Sequence, residues 1–231
     1  MNFIEGIDTI AYVRGPEYSF VNPNTLLFLT GTPLSGKSTI SLLVASNIEG
    51  CTIQSMDIIR LLAQERELQK PEKERNPFVK YGACDSFLFV GDGSYTPRSL
   101  IVGFNSYAQA VSSLLDRIVP GLEAQGAQKV LFEGVQITPQ AAAPFLAGDN
   151  KLIIVTSDAS KLESNRNKRY GQDAELVARY SIDRLLLLQG EIVRQGQELP
   201  PGKKFFIDNT GDYLNSVEGI IRFLLIEGVI I

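Results

Sequence analysis

Short apolar runs of strand length recur along the chain, separated by stretches whose apolar residues fall at helical spacing. The runs are Leu26 to Thr30, Cys51 to Ser55, Lys129 to Glu133, Lys151 to Thr156 and Lys204 to Ile207. Between and after them, Lys37 to Asn47, Ile58 to Lys70, Ala178 to Gln195 and Tyr213 to Leu225 read as helices. A longer amphipathic helix carries Tyr107, Val111, Leu114, Leu115 and Ile118 on one face. Asp158 is a candidate N-cap for a helix after the fourth run. Pro71 to Pro77 reads as a charged turn, Gly126 as part of the turn before the third strand, and Pro200-Pro201-Gly202 as a helix stop. Phe78 to Ser99, rich in Gly, Tyr and Phe, follows neither period.

Strands alternating with helices predict an α/β fold, a parallel sheet covered by helices on both faces. In such three-layer folds ligands bind beyond the carboxyl ends of the strands. Residues 1–24 end in the turn-like Asn22-Pro23-Asn24 and read as an N-terminal extension, an added strand or hairpin, before one domain over residues 25–231.

Composition narrows the chemistry. The 231 residues fit one α/β domain, and 44% hydrophobic residues suffice for its core. A net charge of −4 argues against a nucleic-acid or anionic-membrane partner, so any anion must be caught in a local basic pocket. There is no histidine, which removes His-based triads, general bases and metal ligands together. Cys51 and Cys84 read as buried thiols of a reducing compartment. Met1 to Thr9 has no apolar signal core, and no apolar run reaches the ~20 residues of a membrane span. The expectation is a cytoplasmic protein, monomer or homodimer, acting on a small molecule.

One motif decides the class. Gly31-Thr32-Pro33-Leu34-Ser35-Gly36-Lys37-Ser38 fits G-x-x-x-x-G-K-[ST], with an apolar strand before it and a helix after it. The glycines let backbone N–H groups turn inward around phosphate oxygens, and the helix N-terminus adds its dipole. Lys37 then reaches the β- and γ-phosphates and the Ser38 hydroxyl ligates Mg²⁺. Gly31, Pro33, Leu34, Ser35, Gly36, Lys37, Ser38 and Thr39 are the expected nucleotide-binding residues.

Two acids sit at strand ends beside that loop. Asp57, after the second strand, is placed to orient an acceptor hydroxyl and take its proton, and its structural alternative is a helix N-cap before Ile58. Glu133, ending the third strand, is placed to hold Mg²⁺ or assist the transfer. Arg166, Lys168, Arg169 and Arg179 surround Tyr170-Gly171-Gln172-Asp173 after the fourth strand and its helix, where a short lid is expected. Arg166 and Arg169 are the candidates to neutralise a transferring phosphoryl group. Arg60, one helical turn beyond Asp57, points into the same pocket, and Tyr95 and Arg98 lie in the segment expected to cover it.

With these pieces in order the chain resembles the 2-phosphoglycerate kinase family, within the wider group of P-loop small-molecule and nucleotide kinases. The likeness runs from Leu26 to about Leu225. It rests on the Gly31 to Ser38 loop, Ser55-Met56-Asp57-Ile58-Ile59-Arg60, Gly93-Ser94-Tyr95, Val102-Gly103-Phe104, Phe132-Glu133-Gly134-Val135 and Phe206-Ile207-Asp208-Asn209. The resemblance implies a five-stranded core in the order 2-3-1-4-5, ATP and Mg²⁺ as cofactors, Asp57 and Arg60 facing the acceptor, and Asn209 near the base. The chain departs from the family pattern at Met56, where Thr is usual, and at Gln136, where His is usual. Both departures fall near the acceptor pocket. The expected activity is transfer of the γ-phosphate of ATP to a small anionic metabolite, with 2-phosphoglycerate the first to test. The alternatives are a nucleotide, sugar-acid or nucleotide-sugar kinase, an NTP-driven switch or motor, and a nucleotide-binding protein without transfer activity. No Asn-Lys-x-Asp motif for reading guanine is present.

Overall fold

The computed structural model describes residues 16–75, 82–124 and 129–231. The sheet is parallel, in the order β2-β3-β1-β4-β5. Its strands are β1 (Leu26–Gly31), β2 (Thr52–Ser55), β3 (Val130–Glu133), β4 (Lys151–Thr156) and β5 (Lys204–Asp208). β1 lies at the centre, pairing with β3 in the register Leu26 to Val130 and with β4 in the register Leu27 to Lys151.

Side chains on a strand alternate between faces, and the core divides accordingly. Leu26, Phe28, Val130, Phe132, Leu152 and Ile154 enter one apolar cluster. Leu27, Leu29, Leu131, Ile153 and Val155 enter the other. The first cluster is covered by α3 (Pro97–Ser112), α4 (Leu115–Ala124) and α8 (Ile182–Gln197). The second is covered by α1 (Lys37–Ser46) and α9 (Tyr213–Ile226). The remaining helices are α2 (Met56–Leu68), the single turn α5 (Pro139–Ala142), α6 (Ala159–Tyr170) and α7 (Ala174–Arg179). Residues 16–24 are bound into this domain. Tyr18 bridges to Ile48, Phe20 bridges to Ile230, and Phe20 is buried in the second cluster.

The elements differ from the sequence reading at several points. The long helix through Tyr107 and Ile118 is two helices, interrupted at Ser113-Leu114. The Ser112 and Ser113 hydroxyls donate to the carbonyls of Gln109 and Ala110, and such back-bonding competes with the helical ladder. Likewise Ala178 to Gln195 is not one helix: α7 stops at Arg179 and α8 starts at Ile182, which lets Tyr180 stack on Tyr170 with centroids 5.0 Å apart. Part of Phe78 to Ser99 is ordered as a 3₁₀ segment, Ala83–Phe89, packed on α3. A side chain at Gly103 of α3 would strike the Ser86 carbonyl, so glycine sets that close approach. Residues 1–15, the end of the Pro71 to Pro77 turn, the start of Phe78 to Ser99 and the Gly126 turn lie outside the described residues.

Candidate active site

The loop after β1 takes the shape its glycines demand. Gly36, the N-cap of α1, has φ 87, a left-handed conformation. A Cβ there would also collide with the Asn209 amide and lie 2.6 Å from the Tyr213 ring. Leu34 adopts φ 69 without being glycine, and the Asn165 amide donates to its carbonyl at 2.8 Å. The Ser35 carbonyl is held twice, by Asn209 Nδ2 at 2.8 Å and Ser157 Oγ at 3.2 Å. No side chain caps α1; the Thr39 and Ile40 N–H groups both donate to the Gly36 carbonyl at 3.1 Å, and the Lys37 and Ser38 N–H groups precede the first helical acceptor. The hydroxyls of Thr30, Thr32 and Ser35 are buried without a hydrogen-bond partner among the described residues.

Two clefts open beside this loop. One is lined by Leu34, Gly36, Lys37, Ser38, Thr39, Asn165, Lys168, Arg169 and Tyr213. The other, about 300 Å³, has Asp57, Arg60, Tyr107, Glu133, Tyr170 and Tyr180 in its lining. Leu34, Lys37, Ser38 and Arg169 belong to both. Lys37 is only 7% exposed and has no ion-pair partner among the described residues. A buried, unpaired cation is costly, and an anion placed in the clefts removes that cost.

Glu133, 5% exposed, accepts from Ser38 Oγ at 3.2 Å through one carboxylate oxygen and from Ser55 Oγ at 2.9 Å through the other. It is neither a solvated strand end nor an isolated charge. Asp57 lies in the first turn of α2, whose N-cap is Ser55, so the N-cap alternative for Asp57 is excluded. Gln136 Nε2 donates to Asp57 Oδ1 and to the Tyr107 hydroxyl, both at 2.7 Å. Burial pushes the Tyr107 hydroxyl well above the ordinary phenolic range, against the pull of Arg60.

Several expected site residues fall elsewhere. Arg166 binds Glu163 at 3.1 Å and Asn167 at 3.3 Å, and does not line either cleft. Tyr95 and Arg98 are also absent from the lining. The Tyr95 ring meets Phe87 edge-on and lies under the Arg184 guanidinium, 4.5 Å from its centroid. Asn209 is fully buried beneath the loop, its amide spent on Ser35 and its carbonyl oxygen on Ser216. Tyr107, Tyr170 and Tyr180 are cleft residues that the sequence reading did not single out. Tyr107 had merged with an apolar stripe, because a phenol satisfies the same periodicity as a core side chain.

No family model matches this chain. No curated protein matches it either. Matching solved structures include a sugar kinase from Janibacter sp. HTCC2649, 14% identical over 88% of this chain and 96% of that one, with a TM-score of 0.47. They also include shikimate kinase from Acinetobacter baumannii, 13% identical over 87% and 93%, TM-score 0.49. A third is thymidylate kinase from Candida albicans, 11% identical over 90% and 95%, TM-score 0.48. Likeness at this level says nothing about the chemistry of this chain, which rests on the residues of its own site.

Proposed function

We propose that the protein is an ATP-dependent phosphotransferase acting on a small anionic metabolite. The observation that carries this reading is the position of Lys37, buried where two clefts meet and without an ion-pair partner among the described residues. A donor phosphate chain in the first cleft and an acceptor in the second would present the transferring group to Lys37 and Arg169 together, which is the arrangement in-line transfer needs.

The residues fit ATP and Mg²⁺. The left-handed Gly36 turns the loop into the start of α1, whose N-terminus carries no side-chain cap and is open to phosphate. Ser38 and Glu133 supply hard oxygen ligands. When bound, Mg²⁺ supplies charge neutralisation at the phosphates. Asp57 accepts the proton of the acceptor hydroxyl, and Arg60, without a partner among the described residues, binds the acceptor's anionic group. No described helix is long and apolar enough to cross a membrane.

The test is ADP release from ATP and Mg²⁺ against 2-phosphoglycerate, other phosphorylated acids, sugar acids and nucleotides. At least one anionic acceptor should accelerate release well above the acceptor-free rate. A neutral nucleoside or sugar that outperforms every anion would overturn the anionic pocket. Acceptor-independent hydrolysis alone would leave an NTP-binding protein.

A further inference from the structure

Tyr107 and Gln136 form a buried relay whose hydrogen bonds can be counted. Gln136 is fully buried, and Tyr107 is 1% exposed. An amide nitrogen carries two hydrogens, and Gln136 Nε2 has two acceptors, Asp57 Oδ1 and the Tyr107 oxygen. The opposite amide orientation would set the Gln136 carbonyl against the Asp57 carboxylate, acceptor facing acceptor. Gln136 Oε1 is instead left buried with no partner, an arrangement the fold retains in order to aim both donors at Asp57 and Tyr107. Gly134 makes room for it, since a Cβ there would lie 2.5 Å from Gln136 Oε1 and 2.7 Å from Met56 Cβ.

The tyrosine oxygen is thus an acceptor from Gln136, and its own proton has no acceptor among the described residues. Burial keeps the phenol protonated. Tyr107 lines the cleft with Asp57 and Arg60, and each of those two also has capacity unused among the described residues: the second oxygen of Asp57 and the guanidinium of Arg60.

We infer that Tyr107 is a substrate-binding residue that donates its hydroxyl proton to an oxygen of the acceptor, and that Gln136 is a positioning residue that fixes both Tyr107 and Asp57. The inference rests on the phosphotransfer reading and sharpens its substrate class. Asp57 accepts from the reacting hydroxyl, while Tyr107 and Arg60 donate to an oxygen beside it. The acceptor is then a hydroxy acid or hydroxy-phosphate, with its anionic group next to the reacting hydroxyl. A plain alcohol would leave the Tyr107 and Arg60 donors unmatched.

Calorimetry tests this, with ADP and Mg²⁺ and then with four probes: 2-phosphoglycerate, glycerate, gluconate and, as the uncharged control, glycerol. In wild type, ADP binds, at least one of the three anions binds, and glycerol does not. In Tyr107→Phe, which removes one oxygen atom and keeps the ring, that anion binds about tenfold more weakly while ADP affinity is unchanged, the scale of a lost hydrogen bond to a charged group. In Gln136→Met the kcat for the same anion falls about tenfold or more, with KM within about threefold, because the groups are present but misplaced. Unaltered anion binding in Tyr107→Phe overturns the inference, as does ADP binding with no anion binding. Absence of ADP binding in wild type overturns the phosphotransfer reading instead. A Gln136→Met protein that melts as wild type does and keeps its kcat removes the positioning role.

Discussion

The side-chain amide of Asn209 donates to the main-chain carbonyl of Ser35 at 2.8 Å, bolting the end of β5 to the phosphate loop from beneath. Asn209 is fully buried, and Ser216 of α9 donates to its other end. Three elements therefore meet in one side chain. Removing it leaves a loop carbonyl with the 3.2 Å bond from Ser157 alone and a buried Ser216 hydroxyl with only its longer, 3.4 Å bond to the Asp208 carbonyl. We expect Asn209→Ala to cost about 1–3 kcal/mol. In a chain of this size that lowers Tm by roughly 2–12 °C. ADP affinity should fall as well, because the loop loses its brace. Calorimetric unfolding and ADP titration measure both. A normal Tm would show that the amide is not a structural bolt.

Lys37 makes the opposite prediction for stability. It is buried without an ion-pair partner among the described residues, so in the nucleotide-free protein its charge is a cost. Lys37→Ala should leave the Tm of the free protein unchanged or higher. The same substitution should lower transfer by roughly 10²-fold or more, since the charge is needed where phosphoryl oxygens develop negative charge. Melting curves and ADP-release rates on one preparation separate the two effects. Near-native turnover would remove the nucleotide assignment.

What could be read from sequence follows from the range of each interaction. The strands were visible because parallel strands buried on both faces are continuous apolar runs, and Leu152 to Val155 is one. The phosphate loop was visible because a φ of 87 at Gly36 and the crowding behind it leave no residue but glycine. The lid was harder. Arg166 and Arg169 look alike in a basic run, and it takes the pairing of Arg166 with Glu163 and the place of Arg169 in both clefts to distinguish them. Tyr107 and Gln136 are joined across 29 residues of sequence, and Asn105 and Glu191 across 86. No local period records such a pair. The interruption at Ser113 was hidden for a different reason: the apolar stripe continues through it, and only the serine hydroxyls break the ladder.

Glu191 allows a test of the fold by pH. Its carboxylate is bonded by Arg194, Gln195 and Asn105, tying α8 to α3. Hydrogen bonds from Arg194 above all hold the carboxyl down to about 2 from its ordinary 4.5, against the effect of burial. A carboxylate depressed in the folded state contributes stability that is fully present above its unfolded value and lost as pH falls through its folded value. The difference in urea midpoint between wild type and Glu191→Gln should therefore be largest above pH 4.5 and shrink toward pH 2. Taking the difference cancels the other carboxylates. A difference that stays constant across that window would mean that the ion pair does not contribute through its charge.

The last prediction separates two arginines three positions apart on α6. Arg169 lines both clefts, makes no ion pair among the described residues, and lies with its guanidinium 5.4 Å from the Tyr170 ring centroid. Arg166 is committed to Glu163 and Asn167 and lines neither cleft. A guanidinium that shares both clefts with Lys37 and Ser38 can grip two oxygens of a transferring phosphoryl group, and one already committed to Glu163 and lining neither cleft cannot. Arg169→Ala should lower kcat by roughly 10²–10³-fold, the loss seen when one transition-state donor is removed. Arg169→Lys should restore only part of it, since a point charge does not replace a planar fork. Arg166→Ala should keep kcat within a few fold of wild type, and any loss should appear in the Tm, since the Arg166 side chain is only 13% exposed and packs as well as pairs. Steady-state ADP release for the three variants decides the matter. Equal losses at both positions would mean that the helix turns to present Arg166 in the working complex, and normal rates at both would return the whole stretch to a solvated helix end.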